Sequence, residues 1–170
     1  MIERISTNIA RKINYYDPTS DVEIMEYGLK IILNLLSVVL ICFIVGSLID
    51  KVGEIFLAFF AFAILRMFSG GFHFKSLDIC AIVSACIFIS IPIVVINNHV
   101  INMLNIVSLI IVLFRAPVNI HSNTKISMNS IPYFKIISII IVAFNLLIGS
   151  SVIALSFFVQ ALTLFTKRIH

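Results

Sequence analysis

Residues 28–48 read GLKIILNLLSVVLICFIVGSL, 21 residues whose one charge is Lys30. Coiled as an α-helix, about 20 apolar residues match the hydrocarbon thickness of a bilayer. Lys30 lies close to the start of the run, where its long stem lets the ammonium reach the interface. Five further apolar runs follow, at 53–68, 79–96, 100–114, 131–148 and 152–165. Over the 170 residues the hydrophobic share is 61% and the charged share 12%, against about 45–50% and about 25% in a soluble protein. Lipid is therefore the expected solvent. The expected fold is an all-α integral membrane protein, with about six transmembrane or re-entrant helices and an N-terminal amphipathic helix. Residues 1–170 form one membrane domain in this reading.

The runs differ in quality. Ile55 to Leu65 is uninterrupted for eleven residues before Arg66, which is short for a span. It crosses only by drawing in Gly53 and Met67-Phe68, or else it is re-entrant. The run at 79–96 reads as a full span despite Pro92. Residues 1–16 carry Ile2, Ile5, Ile9 and Ile13 at helical spacing with Arg4, Arg11 and Lys12 between them, the pattern of a helix lying on an anionic leaflet.

With a cytoplasmic N-terminus and six crossings, one face receives Arg4, Arg11, Lys12, Arg66, Lys75, Arg115, Lys125, Lys167 and Arg168, and the other Lys51. The positive-inside rule then places both termini in the cytoplasm. MIERISTNIARKINYY lacks an apolar core, so no cleavable signal peptide is expected. The +4 charge is dispersed between apolar runs, which argues against nucleic acid as a partner. Cys42, Cys80 and Cys86 show no CxxC and no zinc-type spacing with histidine, so neither a disulfide framework, a metal nor a cofactor is expected.

Between the second and third runs, residues 66–80 read RMFSGGFHFKSLDIC. A thiol, an imidazole, two cations, a carboxylate and a glycine pair meet here. A cysteine nucleophile needs a group that takes its proton and returns it to a leaving amine, and His73 suits Cys80 in that role. Seven residues of continuous helix would hold the two Cα atoms about 10.5 Å apart. Gly70-Gly71 is therefore expected to bend the chain, with Ser76 as the N-cap of a new helix. Cys80 would then sit near that helix's positive end, beside Arg66 and Lys75, where a thiolate is favoured. Asp78 suits either a third position behind His73 or a favourable charge in a first helical turn, and the dipole reading is preferred. Cys42 and Cys86, set among Ile, Phe and Ala, read as packing residues.

Arg-x-x-x-Gly-Gly-x-His with Cys seven positions later resembles the signature of the accessory gene regulator B family. The basic N-terminus, Glu26-Tyr27-Gly28-Leu29, the six-run hydropathy and Ala116-Pro117 extend the likeness over nearly the whole chain. A departure occurs after Pro117, where Lys125-Ile126 stands instead of the family's Lys-Pro. The resemblance implies a quorum-sensing peptidase of the cytoplasmic membrane of a Gram-positive bacterium, acting as a homodimer. Its substrate would be a short amphipathic signal propeptide, processed at the lipid bilayer. It implies Cys80 as nucleophile and His73 as partner, with Arg66, Gly70 and Gly71 in support, to which the charge reading adds Lys75. Arg115 and Lys125 are assigned to an acidic substrate tail. A non-enzymatic transport or pore-forming protein, its polar loop lining a permeation route, is the alternative from another class.

Overall fold

The computed structural model describes residues 2–16, 21–72, 76–118 and 131–165. Seven α-helices occur among them: α1 (Ile2–Tyr16), α2 (Val22–Leu48), α3 (Val52–Ser69), α4 (Leu77–Ser90), α5 (Asn98–Arg115), α6 (Ile131–Ile148) and α7 (Ser151–Leu162). No β-strand occurs among the described residues. The protein is an all-α membrane protein, in which α2, α3, α5 and α6 are long and apolar enough to cross a bilayer. Each 18-residue helix is about 27 Å long.

Helix ends follow local chemistry. The run expected to begin at Gly28 begins six residues earlier, because the Asp21 carboxylate caps α2 by accepting the N–H groups of Glu23 at 2.9 Å and Ile24 at 3.3 Å. The short run before Arg66 becomes an 18-residue helix once Val52–Glu54 and Arg66–Ser69 join it. The opposite correction applies to 79–96. There α4 has 14 residues and ends at Ser90, followed by a 3-10 turn over Ile91–Ile93. Pro92 supplies no N–H and cannot continue the α ladder, so α4 is about 21 Å long, less than a full hydrocarbon span. The Asn97 side chain caps the next helix, α5, by accepting the Val100 N–H at 3.0 Å.

Packing is inside-out relative to a water-soluble bundle. Alanines 58, 61, 81, 85, 154 and 161 are buried, while Leu36, Phe43, Ile44, Phe60, Ile82 and Phe144 are exposed. Small residues allow helices to approach closely, and large apolar ones facing outward suit lipid. The central helix is α3. Through Ile55 and Ala58 it joins a core with Val38 and Cys42 of α2 and Ala81, Ala85 and Phe88 of α4. Through Ala61 and Leu65 it joins a second core with Val112, Val142, Phe157 and Ala161.

The N-terminal helix has two adjoining stripes. Ile2, Ser6 and Ala10 are buried where α1 packs on α2 and α4. Ile5, Ile9 and Ile13 stay exposed at 38%, 38% and 41%. Thr7 donates to Glu26 of α2 at 2.9 Å, and the same carboxylate holds Lys30 at 2.7 Å. Across 76 residues, the Ile2 N–H donates to Asp78 Oδ1 at 3.0 Å, which satisfies an otherwise orphaned amide in the first turn of α1.

Candidate active site

One end of the bundle gathers the last turns of α3, α5 and α7 and the first turn of α4. After α3 the chain leaves the helix at Gly70, whose φ of 69° and ψ of −147° are open to glycine. Gly71, with φ 133°, continues the bend. A Cβ on Gly71 would lie 2.4 Å from Thr163 Oγ1 and 3.4 Å from Gln160 Nε2. The glycine pair thus turns the backbone and lets it lie directly on α7.

Three backbone bonds pin this turn. Val118 N–H donates to Ser69 O at 3.0 Å, Gly71 N–H to Val118 O at 3.1 Å, and Phe72 N–H to Thr163 O at 3.1 Å. Gln160, fully buried on α7, adds side-chain bonds from Nε2 to Ser69 Oγ at 3.0 Å and to Gly70 O at 2.6 Å. Its Oε1 accepts Arg66 Nη1 at 3.3 Å, and Arg66 Nη2 donates to Phe72 O. The guanidinium also stands 5.6 Å from the centre of the Phe62 ring, a cation–π distance.

Leu77 begins α4, and Ser76 occupies its N-cap with extended backbone, although its hydroxyl makes no capping bond. Cys80 N–H donates to Ser76 O at 3.1 Å, so Cys80 falls at the fourth position of α4. Its partly exposed thiol lines a cavity of about 200 Å³ shared with Arg66, Asn34, Phe72, Ser84 and Thr163. Phe88 forms one wall and makes edge-on contacts with Phe59 at 5.5 Å and Phe62 at 5.3 Å. Two larger apolar grooves exist, about 430 Å³ between α4 and α7 and about 410 Å³ between α3 and α6. Neither brings a cationic side chain to a thiol.

The structure therefore brings Arg66, Cys80 and the Gly70-Gly71 turn to one place. His73, Lys75 and Lys125 lie outside the described residues. Arg115 ends α5 and stands 4.8 Å from the centre of the Phe165 ring, and it does not line the Cys80 cavity. Among the described residues no group of three His, Cys, Asp or Glu side chains is placed to hold a metal. Cys42 is buried in the α2–α4 core, and Cys86 lines the apolar groove between α4 and α7. Two residues that the motif reading passed over belong to this end of the bundle: Gln160 and Asn34. Each is a lone carboxamide in an otherwise apolar run, and intramembrane polarity of that kind is itself a pointer to a site.

Fold and site together define a polytopic α-helical membrane protein that sets a thiol and a guanidinium in one semi-enclosed cavity. The chain belongs to the accessory gene regulator B family, whose sequence model matches residues 2–166. A Clostridium perfringens protein described as AgrB-like is 34% identical over 94 residues, covering 51% of this chain and 44% of that relative. No solved structure matches the chain. Family membership ties the protein to accessory gene regulator signalling.

Proposed function

We propose that the protein is a membrane-embedded cysteine endopeptidase that removes the C-terminal tail of a quorum-sensing propeptide and promotes its cyclisation. The observation that carries this reading is the shared cavity of Cys80 and Arg66, beside a turn fixed by the family's glycine pair. His73 takes the Cys80 proton, and the thiolate attacks the scissile carbonyl. The C–N bond breaks as His73 passes that proton to the departing amine, leaving a thioester on Cys80. A cysteine thiol or serine hydroxyl within the bound propeptide then attacks the thioester. Cys80 leaves as thiolate, the proton returns to His73, and a thiolactone or lactone forms without ATP. A bound propeptide that fills the cavity and displaces water favours this internal attack over hydrolysis. Arg66, held by Gln160 and Phe72, directs positive charge toward the reacting end, and backbone N–H groups at the start of α4 face the developing oxyanion.

In this proposal the enzyme is a homodimer in the cytoplasmic membrane of a Gram-positive bacterium. Both termini and the catalytic end are cytoplasmic. The propeptide reaches that end along the leaflet, where Arg115 and Lys125 attract its acidic tail. The test is reconstitution in liposomes with the propeptide encoded beside the gene, comparing wild type, Cys80→Ala and His73→Ala by mass spectrometry. Tail release and an acyl adduct on Cys80 are expected for wild type, and neither event for the two variants. Cleavage that survives Cys80→Ala overturns the mechanism.

A further inference from the structure

Ser37, Ser47, Ser90, Ser108, Ser138 and Ser156 each donate to the carbonyl four residues back, at 2.7 to 2.9 Å. This is how a hydroxyl inside a helix finds a partner without leaving it. Ser84 of α4 departs from them. The carbonyl within its reach is that of Cys80, yet the Ser84 hydroxyl makes no hydrogen bond among the described residues. Nor is it sealed in protein. The shielded side-chain atoms without partners among the described residues are Asn34 Oδ1 and Asn105 Nδ2, so Ser84 Oγ, on a half-buried residue, is open to a water-sized probe.

Helical period gives its direction. Cys80, Val83, Ser84, Ile87 and Phe88 line the cavity, at the i, i+3, i+4, i+7 and i+8 spacing of one helix face. Ala81 and Ala85 are buried in the core shared with α2, while Ile82 and Cys86 are exposed. Ser84 therefore sits at the centre of the cavity face, one turn deeper than Cys80. It takes no part in the groove between α4 and α7. The other hydroxyl of the lining, that of Thr163, donates to Gln160 O at 2.7 Å. About 10 Å of helix separates Ser84 from Leu77, a depth at which an unpartnered hydroxyl is costly.

A hydroxyl both donates and accepts, so it fits either group of a peptide bond. Residues four apart on a helix hold their Cβ atoms about 5–6 Å apart, and an extended chain advances about 3.3 Å per residue. A propeptide with its scissile carbonyl at Cys80 thus reaches Ser84 about two residues away. The next turn carries Phe88, packed edge-on against Phe59 and Phe62, a wall unsuited to an acidic tail. The segment entering here is the one that stays on Cys80 as the acyl group.

We propose that Ser84 is a substrate-binding residue: its hydroxyl bonds the main-chain amide about two residues before the scissile bond and so fixes how deep the propeptide lies along α4. The inference rests on the peptidase reading and adds a subsite to it.

The test replaces one peptide bond of the propeptide at a time by an (E)-alkene, which keeps the trans geometry but has neither C=O nor N–H. Each peptide is offered to the full chain in liposomes, as wild type, Ser84→Ala and the control Ser90→Ala. Alanine suits a helix interior, so Ser84→Ala is expected to fold. With wild type and Ser90→Ala, the alkene about two residues before the scissile bond lowers kcat/KM by about fivefold, within the range for one hydrogen bond. Ser84→Ala starts about fivefold lower on the unmodified peptide and loses nothing more at that bond. The pH profile of Cys80 alkylation, read in a Cys86→Ala background without peptide, stays the same with and without Ser84. Wild-type cleavage by Ser84→Ala, or an alkene profile identical to that of wild type, overturns the inference while the peptidase reading stands. A shifted alkylation profile also overturns it, because the hydroxyl would then serve the thiol rather than the substrate. If wild type cleaves no peptide, the peptidase reading falls and takes this inference with it.

Discussion

Gln160 Oε1 accepts a hydrogen bond from Arg66 Nη1 at 3.3 Å, joining α7 to α3 across 94 residues of chain. The same carboxamide donates through Nε2 to Ser69 Oγ and Gly70 O. One fully buried side chain therefore fixes both the cation beside Cys80 and the backbone turn that leads toward it. An amide suits this task because it offers acceptor and donor atoms together. A glutamate would pair with Arg66 more strongly but would have no N–H for the Gly70 carbonyl.

Gln160→Leu is expected to remove the shorter of the two side-chain bonds to the Gly70 carbonyl and to leave Arg66 held through Phe72 alone. Each buried group left without a partner costs about 1–3 kcal/mol, so the thermal midpoint falls while helix content by circular dichroism is preserved. Propeptide cleavage should fall at least about tenfold, the factor that corresponds to 1.4 kcal/mol. Gln160→Glu should restore the Arg66 contact and recover part of the activity. Cleavage by Gln160→Leu equal to wild type would show that Arg66 needs no such support.

Gly71→Ala tests the close approach of the turn to α7. The new methyl meets Thr163 Oγ1 at 2.4 Å, at a backbone φ of 133°. Strain of this kind costs about 1–3 kcal/mol. Thr163→Ala in the same chain should relieve the steric part and leave the backbone part. Gly28 is the control, because a Cβ there meets nothing within 4 Å, and Gly28→Ala within α2 should stabilise by about 1 kcal/mol. Equal melting behaviour for the two alanine variants would overturn this account.

Apolar length made the helices legible, since a run such as Gly28–Leu48 leaves few alternatives to a membrane helix. Helix ends were less legible. The effect of Pro92 on α4 depends on whether neighbouring groups satisfy the broken ladder, and sequence cannot show that. Arg66, Gly70, Gly71 and Cys80 lie close together in sequence, so their spacing carried a signal. Gln160 carries only the signal of a lone carboxamide in an apolar run, because its partners at the end of α3 are 90 to 94 residues away. Asn34 likewise reaches the Cys80 cavity only through the packing of α2 on α4, which no local pattern encodes. Asp78 suits a first helical turn by position alone, whereas its bond to Ile2 is a tertiary contact across 76 residues.

The two stripes of α1 should be separable by mutation. Ala10 is fully buried, and Ala10→Leu overpacks that contact at a cost of about 1–3 kcal/mol. Hydrogen exchange of the α1 amides in nanodiscs should then accelerate. Ile9→Ser and Ile13→Ser, on the exposed stripe, should leave the contact with α2 intact and instead make exchange in α1 sensitive to lipid composition. Faster exchange from the exposed-stripe changes in every lipid would mean that this stripe, too, holds α1 to the protein.

Electrostatic capture of the propeptide makes a separate prediction. Arg115 ends α5 with its guanidinium 4.8 Å from the centre of the Phe165 ring, where the ring holds the cation near the end of α7 without neutralising it. It does not line the Cys80 cavity, so its proposed part is attraction rather than chemistry. Replacing Arg115 and Lys125 together by Gln should raise KM several-fold for a propeptide with an acidic tail and leave kcat close to its original value. The difference should shrink as salt rises, because the screening length falls from about 10 Å at 0.1 M to about 3 Å at 1 M. A propeptide whose tail carboxylates are replaced by amides should show no difference between the two enzymes at any salt. A KM that stays put at low salt would remove both cations from substrate binding, and a fall in kcat would place them closer to the reacting bond than the cavity does.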